Sequence, residues 1–581
     1  METKVEFNMT NSEDIIYKET MVNAYKYGSA DAKIVMKKIM SGYPELRSKA
    51  KEIQKILGNI VNEVNNLSRK DLEKIVEDRY PESIIEKEVK ERDYLPEIVN
   101  AKKGEVKVRY PPEPSKEPHI GQMLSFCINH LIAERFEGRT VLRFDDTNPE
   151  KVRSEFYDSF REVLAWLNLR VDEEVLASDK MEVFYEKARK LILDNDAFVC
   201  RCERKLFTQL RDEQKECTCN LNNSTELNLE LFEEILEGKF SPGEAVVRLR
   251  GDMKSPNSVM RDPVLLRLSS HTHCIQGDKY ILWPMYDFES PIMEDLTQVT
   301  HILRSMEFGK MRQELQTTIA KRLNLNVPEF MEYRRYNIIG APTQGRVIRE
   351  LVKENIVTGW DDYRLVTYQA MKRRGIQPEV FPEIIKRVGA TKSSTNIDFS
   401  LIFSINRKII EPNSRHCFFV EDPIKVLIIN PIKRSVDIPY HPHNQELGKR
   451  IINVDDVIYL SGTDKEFLNV NSNVRLKDLY NIRITEKIAE KELRAEITGI
   501  ELQPDYPKLQ WVSEPVEVEI VKPEMLYLNK RINKDSLKYI QGLGENSLKK
   551  LKIDEIIQLE RFGYTKVNKI NNQIKMNYIH G

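Results

Sequence analysis

The sequence predicts a multidomain α/β plus β protein, and three observations predict it. Apolar residues in the N-terminal hundred recur at helical spacing. A strand, loop, helix and second strand follow one another over 105–144, the rhythm of a parallel sheet. From about residue 400, short alternating strands separated by turn residues continue toward the C-terminus. With 581 residues the chain exceeds one core, and at roughly 100–200 residues per domain it fits about three to five.

Each element has its own justification. Between Glu45 and Leu67, the residues Leu46, Ala50, Ile53, Leu57, Ile60, Val64 and Leu67 fall at alternating steps of four and three and trace one helix face, so residues 1–100 read as a helical domain. Its charges are the solvated side of such helices, with RNA or partner docking as the alternative. The extended run EVKVR (105–109) leads through the Pro-rich turn PPEPSKEP into a helical pattern from about 119 to 137. The strand TVLRF (140–144) then ends on acidic residues, and ligands of parallel sheets lie at such carboxyl ends. Helical pattern returns around 360–400, with KRRG at 372–375 and EIIKR at 383–387. Beyond it KVLIIN (425–430), DVIYL (456–460), NIRIT (481–485), RAEITGIEL (494–502), VEVEIV (516–521) and EIIQLERFGYTKV (555–567) indicate β-barrels or a sandwich.

Composition excludes several classes. At 40% hydrophobic and 31% charged the chain is a soluble globular protein rather than a disordered one. A formal net charge of −1 excludes a uniformly basic nucleic-acid coat, so any RNA contact must use local patches. No run approaches the roughly 20 apolar residues of a membrane span, and the start METKVEFNMTNSED lacks a basic region and an apolar core; the expected location is cytoplasmic. Seven cysteines argue against a disulfide framework. Four of them, Cys200, Cys202, Cys217 and Cys219, form C-x-C-x14-C-x-C, which suits tetrahedral Zn²⁺, with free buried thiols as the alternative. Cys127, Cys274 and Cys417 are isolated and are expected in cores.

The stretch RYPPEPSKEPHIGQ (109–122) could open an anion-binding helix, with Gly121 allowing close approach and His119 donating; on spacing alone an ordinary helix start is the competing reading. The same stretch resembles the HIGH signature of class I aminoacyl-tRNA synthetases in the form found in glutamyl and glutaminyl enzymes. LRFDDTNPEKV (142–152), GEAVVRLRGDMKSPNSVMRDPVLLR (243–267), GDKYILWPMYDFESPIMEDLTQVTHILRSMEF (277–308), GWDDYRL (359–365) and the final DEIIQLERFGY are similar to that family as well. The resemblance runs from about 105 to 570, and residues 1–100 look like the appended N-terminal domain of archaeal glutamyl enzymes.

The resemblance implies a Rossmann-like catalytic domain at 101–400, an acceptor-binding insertion at about 198–300, a helical connector at about 350–400 and anticodon-binding β-barrels over 401–581. It implies ATP with Mg²⁺, glutamate and tRNA(Glu) as ligands, with a synthetase-associated partner for the N-terminal domain. Arg109 matches the arginine that holds the amino-acid carboxylate, Asp145 the acid that receives the α-amino group, and Tyr286 a wall of that pocket. Without the match Asp145 reads as a helix N-cap. Arg304 matches the arginine that accompanies glutamate enzymes, where it pairs with the γ-carboxylate; an ordinary ion pair is the alternative. Pro112, Ser115, His119, Gly121 and Arg346 are the expected ATP contacts, and His119, Gln122 and Arg346 the expected catalytic groups. Two signatures depart from the pattern. Gln122 replaces the final His, Lys116 a Gly and Pro118 a Leu, while IIGAPTQGRVIRELV (338–352) carries Gln344 and Gly345 where a Ser-Lys pair is expected. Two readings stay open: activation rebuilt around Arg346, Lys116 and Gln122, or a scaffold that grips tRNA without the chemistry. Within the enzyme class, a glutaminyl or non-discriminating enzyme is the alternative to a strict glutamate enzyme.

Overall fold

In the computed structural model the Pro-rich turn follows one short strand, β1 (Lys107–Tyr110), and the helix after the turn leads to a second, β2 (Arg139–Phe144). Their side chains are buried in succession rather than in alternation, as a strand covered on both faces requires. They pair in parallel, Lys107 opposite Arg139 and Tyr110 opposite Leu142, and the helix Ile120–Arg135 connects them. On the other side of β2, β3 (Glu173–Leu176) adds a third parallel strand. Edge-to-face rings seal the helices on this sheet: Tyr110 and Phe126 lie 5.5 Å apart, Phe126 and Phe160 6.2 Å.

An antiparallel sheet follows, made of β4 (Ala197–Cys200), β5 (Val246–Leu249), β6 (Val264–Leu268) and β7 (Leu282–Pro284) in that order. It has its own core around Phe232, Leu266 and Trp283. The chain then returns through the helix Tyr286–Leu296 to the parallel pair β8 (His301–Ser305) and β9 (Glu329–Tyr333). Thr300 ties β8 to β1, its N–H donating to Lys107 O at 3.0 Å and its Oγ1 accepting from Lys107 N–H at 2.8 Å.

The described residues are 11–27, 29–43, 46, 49–67, 71–72, 75–76, 79–80, 94–306, 309–333, 336–390, 395–430, 432, 434–529, 531–571 and 573–581. They fall into two units, Met1–Asp93 and Tyr94–Gly581. In the first, the helices Asn11–Tyr27, Ala32–Gly42 and Ala50–Asn65 share a core that includes Leu46, Ile53, Leu57, Ile60 and Val64, five of the seven residues read as one face. Asp31 caps the second helix by accepting from Lys33 and Ile34 N–H at 2.8 and 3.0 Å. The opening ten residues and 81–93 lie outside the described residues, as do Glu307 and Phe308 of the motif after β8. Among the described residues no helix is long and apolar enough to cross a membrane.

The C-terminal strands make two seven-stranded sheets. One begins at Lys508–Leu509 and ends at Trp511–Val512; the other begins at Arg415–Cys417 and ends at Phe419–Glu421. In each sheet the two edge strands are neighbours in the chain, separated by Gln510 or Phe418 alone, so each sheet curls almost shut as a barrel. The run 555–567 is two strands, Ile556–Leu559 and Gly563–Ile570, joined by a turn. It is not the last strand, as read from sequence: Ile574–His580 follows and pairs with both Gly563–Ile570 and Val516–Pro523.

Candidate active site

The carboxyl ends of β1, β2 and β8 open on one cavity of about 960 Å³, within the size range of small-molecule sites. Arg109, Asp145, Tyr286 and Arg304 all line it. Arg109 and Arg304 are only 2% and 5% exposed, so two guanidinium groups are held away from water in one space. Arg109 Nε lies 2.5 Å from Glu294 Oε1, and Arg143 Nη1 lies 3.0 Å from the same oxygen. Arg143 in turn donates to both oxygens of Asp145, at 2.6 and 3.1 Å. Burial alone would raise the Glu294 pKa, but Arg109 and Arg143 outweigh it and hold the carboxyl below its usual value.

Arg304 is anchored on one side only. Its Nη1 donates to Gln316 Oε1 at 3.0 Å, and its guanidinium carbon sits 4.6 Å from the centre of the Phe330 ring. Its Nε and Nη2, like Arg109 Nη1, are buried without a hydrogen-bond partner among the described residues. Burial, and further down the like charge of Arg109, pull the Arg304 pKa below its ordinary value. Buried guanidinium donors left open are costly, and an anion removes that cost.

Of the first signature, Pro112, Lys116, His119, Gly121 and Gln122 line the cavity and Ser115 does not. His119 is the N-cap of the helix Ile120–Arg135: its Nδ1 accepts from Gly121 N–H at 3.1 Å, and Gln122 Oε1 accepts from His119 N–H at 3.3 Å. Ile120 N–H donates to Val366 O at 2.9 Å. The first-turn amides are therefore engaged within the protein, which departs from the bare anion-binding helix start. Gly121 serves a different close approach: a Cβ there would lie 3.0 Å from His119 Cε1.

Of the second signature, Arg346 is exposed and does not line the cavity. Gly345 opens the helix Gly345–Lys353, and a Cβ on it would meet Lys116 Cδ at 2.9 Å. Arg349 Nη1 donates to Ser115 O at 3.1 Å, so the two signature loops rest on each other through Lys116, Gly345, Ser115 and Arg349.

A family model described as tRNA synthetases class I (E and Q), catalytic domain, matches residues 105–412. Two models for the anticodon-binding domain of the same enzymes match 414–505 and 508–568. The chain belongs to the class I E and Q tRNA synthetases. A glutamate–tRNA ligase of Nitrosopumilus maritimus is 39% identical over 563 residues, covering 96% of this chain and 98% of that protein. Glutamate–tRNA ligases of Thermococcus kodakarensis and Pyrococcus furiosus are each 35% identical, covering 97% and 96% of this chain and 98% of each relative.

As a class I synthetase, the chain carries a second cluster away from the cavity. Cys200 and Cys217 sulfurs lie 3.9 Å apart, Cys202 and Cys219 3.7 Å, and all four fall within 4.8 Å of one another. A tetrahedron with metal–sulfur bonds of about 2.3 Å has edges of about 3.8 Å, so the donor set fits a zinc ion. Arg201 N–H donates to Cys219 Sγ at 3.4 Å, the kind of outer contact that orients a thiolate ligand. Cys127 and Cys417 are buried as expected; Cys274 is exposed and is no core residue, because it lies in the surface turn between β6 and β7. Sequence reasoning missed Arg143, Glu294 and Glu289. All three are buried charges, Arg143 next to the apolar run Val141–Leu142 and Glu289 and Glu294 on either side of Pro291–Met293, and that apolar setting was the signal.

Proposed function

We propose that this synthetase is a glutamate–tRNA ligase that activates glutamate with ATP and transfers it to the 3′ end of tRNA(Glu). The observation that carries the choice of amino acid is the pair of buried, incompletely paired guanidinium groups of Arg109 and Arg304 in one cavity. A dicarboxylic amino acid supplies an anion for each of the two, whereas glutamine would bring no carboxylate to the open Nε and Nη2 of Arg304. The names of the relatives, read from end to end of the chain, support the same reaction.

In this reading an oxygen of the glutamate α-carboxylate attacks the α-phosphorus of ATP and pyrophosphate leaves; a ribose hydroxyl of tRNA then attacks the carbonyl and AMP leaves. The protein's part is orientation and charge compensation. Arg109 holds the α-carboxylate, Arg304 the γ-carboxylate, and Tyr286 closes the wall between them. Pro112, His119, Gly121 and Gln122 form the ATP side, with Mg²⁺ accompanying the nucleotide. Lys116, which reaches the Thr343 carbonyl at 3.4 Å, stands closer to the cavity than Arg346 and is the better candidate for the missing loop cation. Cys200, Cys202, Cys217 and Cys219 hold a structural zinc that fixes the fold of the inserted sheet. The reading includes a cytoplasmic setting and a protein partner for the N-terminal helices, where Ile34 is 54% exposed.

Charging of tRNA(Glu) transcript with labelled glutamate, and with glutamine in parallel, tests the proposal. Glutamate is expected to be esterified and glutamine rejected. Absence of charging with enzyme in excess over tRNA would instead mark a tRNA-binding scaffold, and equal use of glutamine would remove the role given to Arg304.

A further inference from the structure

Glu289 stands in the same cavity and the reaction just described does not use it. It sits in the first turn of the helix Tyr286–Leu296 and is 2% exposed. Oε2 accepts a hydrogen bond from Thr147 Oγ1, while Oε1 is buried without a partner among the described residues. The cavity thus presents open guanidinium donors and one open carboxyl oxygen. That set complements a zwitterion rather than a simple dianion. Asp145, assigned to the α-amino group by resemblance, already has both oxygens engaged by Arg143.

We propose that Glu289 is a further amino-acid-binding residue, whose carboxyl shares the α-ammonium of bound glutamate with Asp145. This rests on the glutamate–tRNA ligase reading above. Burial first, and then the charge of Asp145, raise the Glu289 pKa well above that of an ordinary carboxyl, the direction that an arriving cation reverses. Asp145, Asp146 and Arg143 act on it from β2 and the turn after β2, and Thr147 donates to it. Asp287 and Glu294 share its helix, and Arg267 of β6 lines the same cavity. When the ammonium arrives, Oε1 accepts one of its N–H bonds and the carboxyl proton passes to solvent. Glutamate binding is thus expected to release protons to solvent, and no oxidant or other reactant is needed.

The test is tRNA(Glu)-dependent ATP–pyrophosphate exchange with wild type and E289Q, together with calorimetry of glutamate binding in two buffers of different ionisation heat. E289Q is expected to raise KM for glutamate about tenfold to a hundredfold, the worth of one hydrogen bond to a charged group, with KM for ATP unchanged. 2-Hydroxyglutarate, which lacks the ammonium, is expected to inhibit both proteins with the same Ki. A glutamate KM within twofold of wild type, or a parallel change in the 2-hydroxyglutarate Ki, would overturn the proposal. Should E289Q fail to fold, Glu289→Ala decides: a glutamate KM raised tenfold or more beside an unchanged 2-hydroxyglutarate Ki supports it, and a glutamate KM within twofold of wild type overturns it. A wild type without glutamate-dependent exchange would sink the ligase reading itself, whereas an active wild type beside an indifferent E289Q sinks only the role of Glu289.

Discussion

At the residue scale, the proposed selectivity for glutamate rests on charge that the protein buries and leaves open. Truncating one member of a buried charge pair typically costs about 2–5 kcal/mol, so Arg304→Gln should lower kcat/KM for glutamate by about a hundredfold or more while KM for ATP stays within twofold. An equal loss toward ATP would mean that Arg304 supports the fold of the cavity rather than the amino acid. A second residue has a pH signature. Burial pushes the Glu117 carboxyl up to about 7, against a hydrogen bond from Ser159 Oγ at 2.9 Å. Because the native state then holds a proton that the unfolded chain has released, stability should fall as pH rises from about 4.5 to 7 and level off above. Glu117→Gln should remove that slope and stabilise the protein at pH 8 by roughly 2–3 kcal/mol, read from denaturant unfolding at several pH values. An unchanged slope would place the shift elsewhere. Arg109, Asp145 and Arg304 were legible in the sequence because the motifs RYPPEPSKEPHIGQ, LRFDDTNPEKV and HILRSMEF that carry them resemble the family's. The Glu294 bridge between Arg109 and Arg143 was not, since it joins residues 185 positions apart.

At the element scale, GWDDYRL (359–365) explains how the two signature loops are held. Ile120 N–H donates to Val366 O at 2.9 Å and Tyr368 N–H to Pro118 O at 2.7 Å, so the segment just after this motif clamps the first signature. Within the motif, Arg364 pairs with Asp362 at 2.8 Å and its Nη1 donates to Ser536 Oγ at 3.2 Å. Ser536 closes an excursion of the second barrel, in which Leu526 packs against Ile348 and Leu351 of the helix Gly345–Lys353. Tyr527 N–H donates to Gly340 O at 3.1 Å, and Gly340 has a φ of 89°, where a side chain would be strained and would meet Met525 Cγ at 3.1 Å. The altered loop is thus supported from the barrel side. Leu526→Ala should cost about 2–5 kcal/mol locally and speed amide hydrogen exchange over 345–353, leaving the strands of the second barrel protected. Uniform loss of protection in that barrel would argue against a local support. None of this was visible in the sequence, which marks 338–352 only as a departure from pattern; the compensation is made by residues almost two hundred positions away.

At the scale of the whole molecule, the order of helices, parallel sheet and barrels was legible because hydrophobic period changes along the chain. Barrel closure was not, because Arg415–Cys417 pairs with Ile556–Leu559 and Phe419–Glu421 with Leu537–Gly544, contacts that no local pattern encodes. The cysteine cluster was legible as spacing, and the convergence of its four sulfurs within 4.8 Å gives that spacing a physical content. Chelation, or Cys202→Ser, should remove about one zinc per chain by metal analysis and raise KM for tRNA more than KM for glutamate, because the cluster lies in the inserted sheet and not in the amino-acid cavity. Stoichiometric zinc that survives in Cys202→Ser would contradict the assignment. The claim on which the rest depends is that Arg109 and Arg304 grip the two carboxyl ends of one amino acid. A crystal structure with a non-hydrolysable glutamyl-adenylate analogue measures this directly. The γ-carboxylate is expected within hydrogen-bond distance of Arg304 Nε and Nη2; an analogue whose γ-carboxylate faces solvent, with Arg304 still unpartnered, would contradict it.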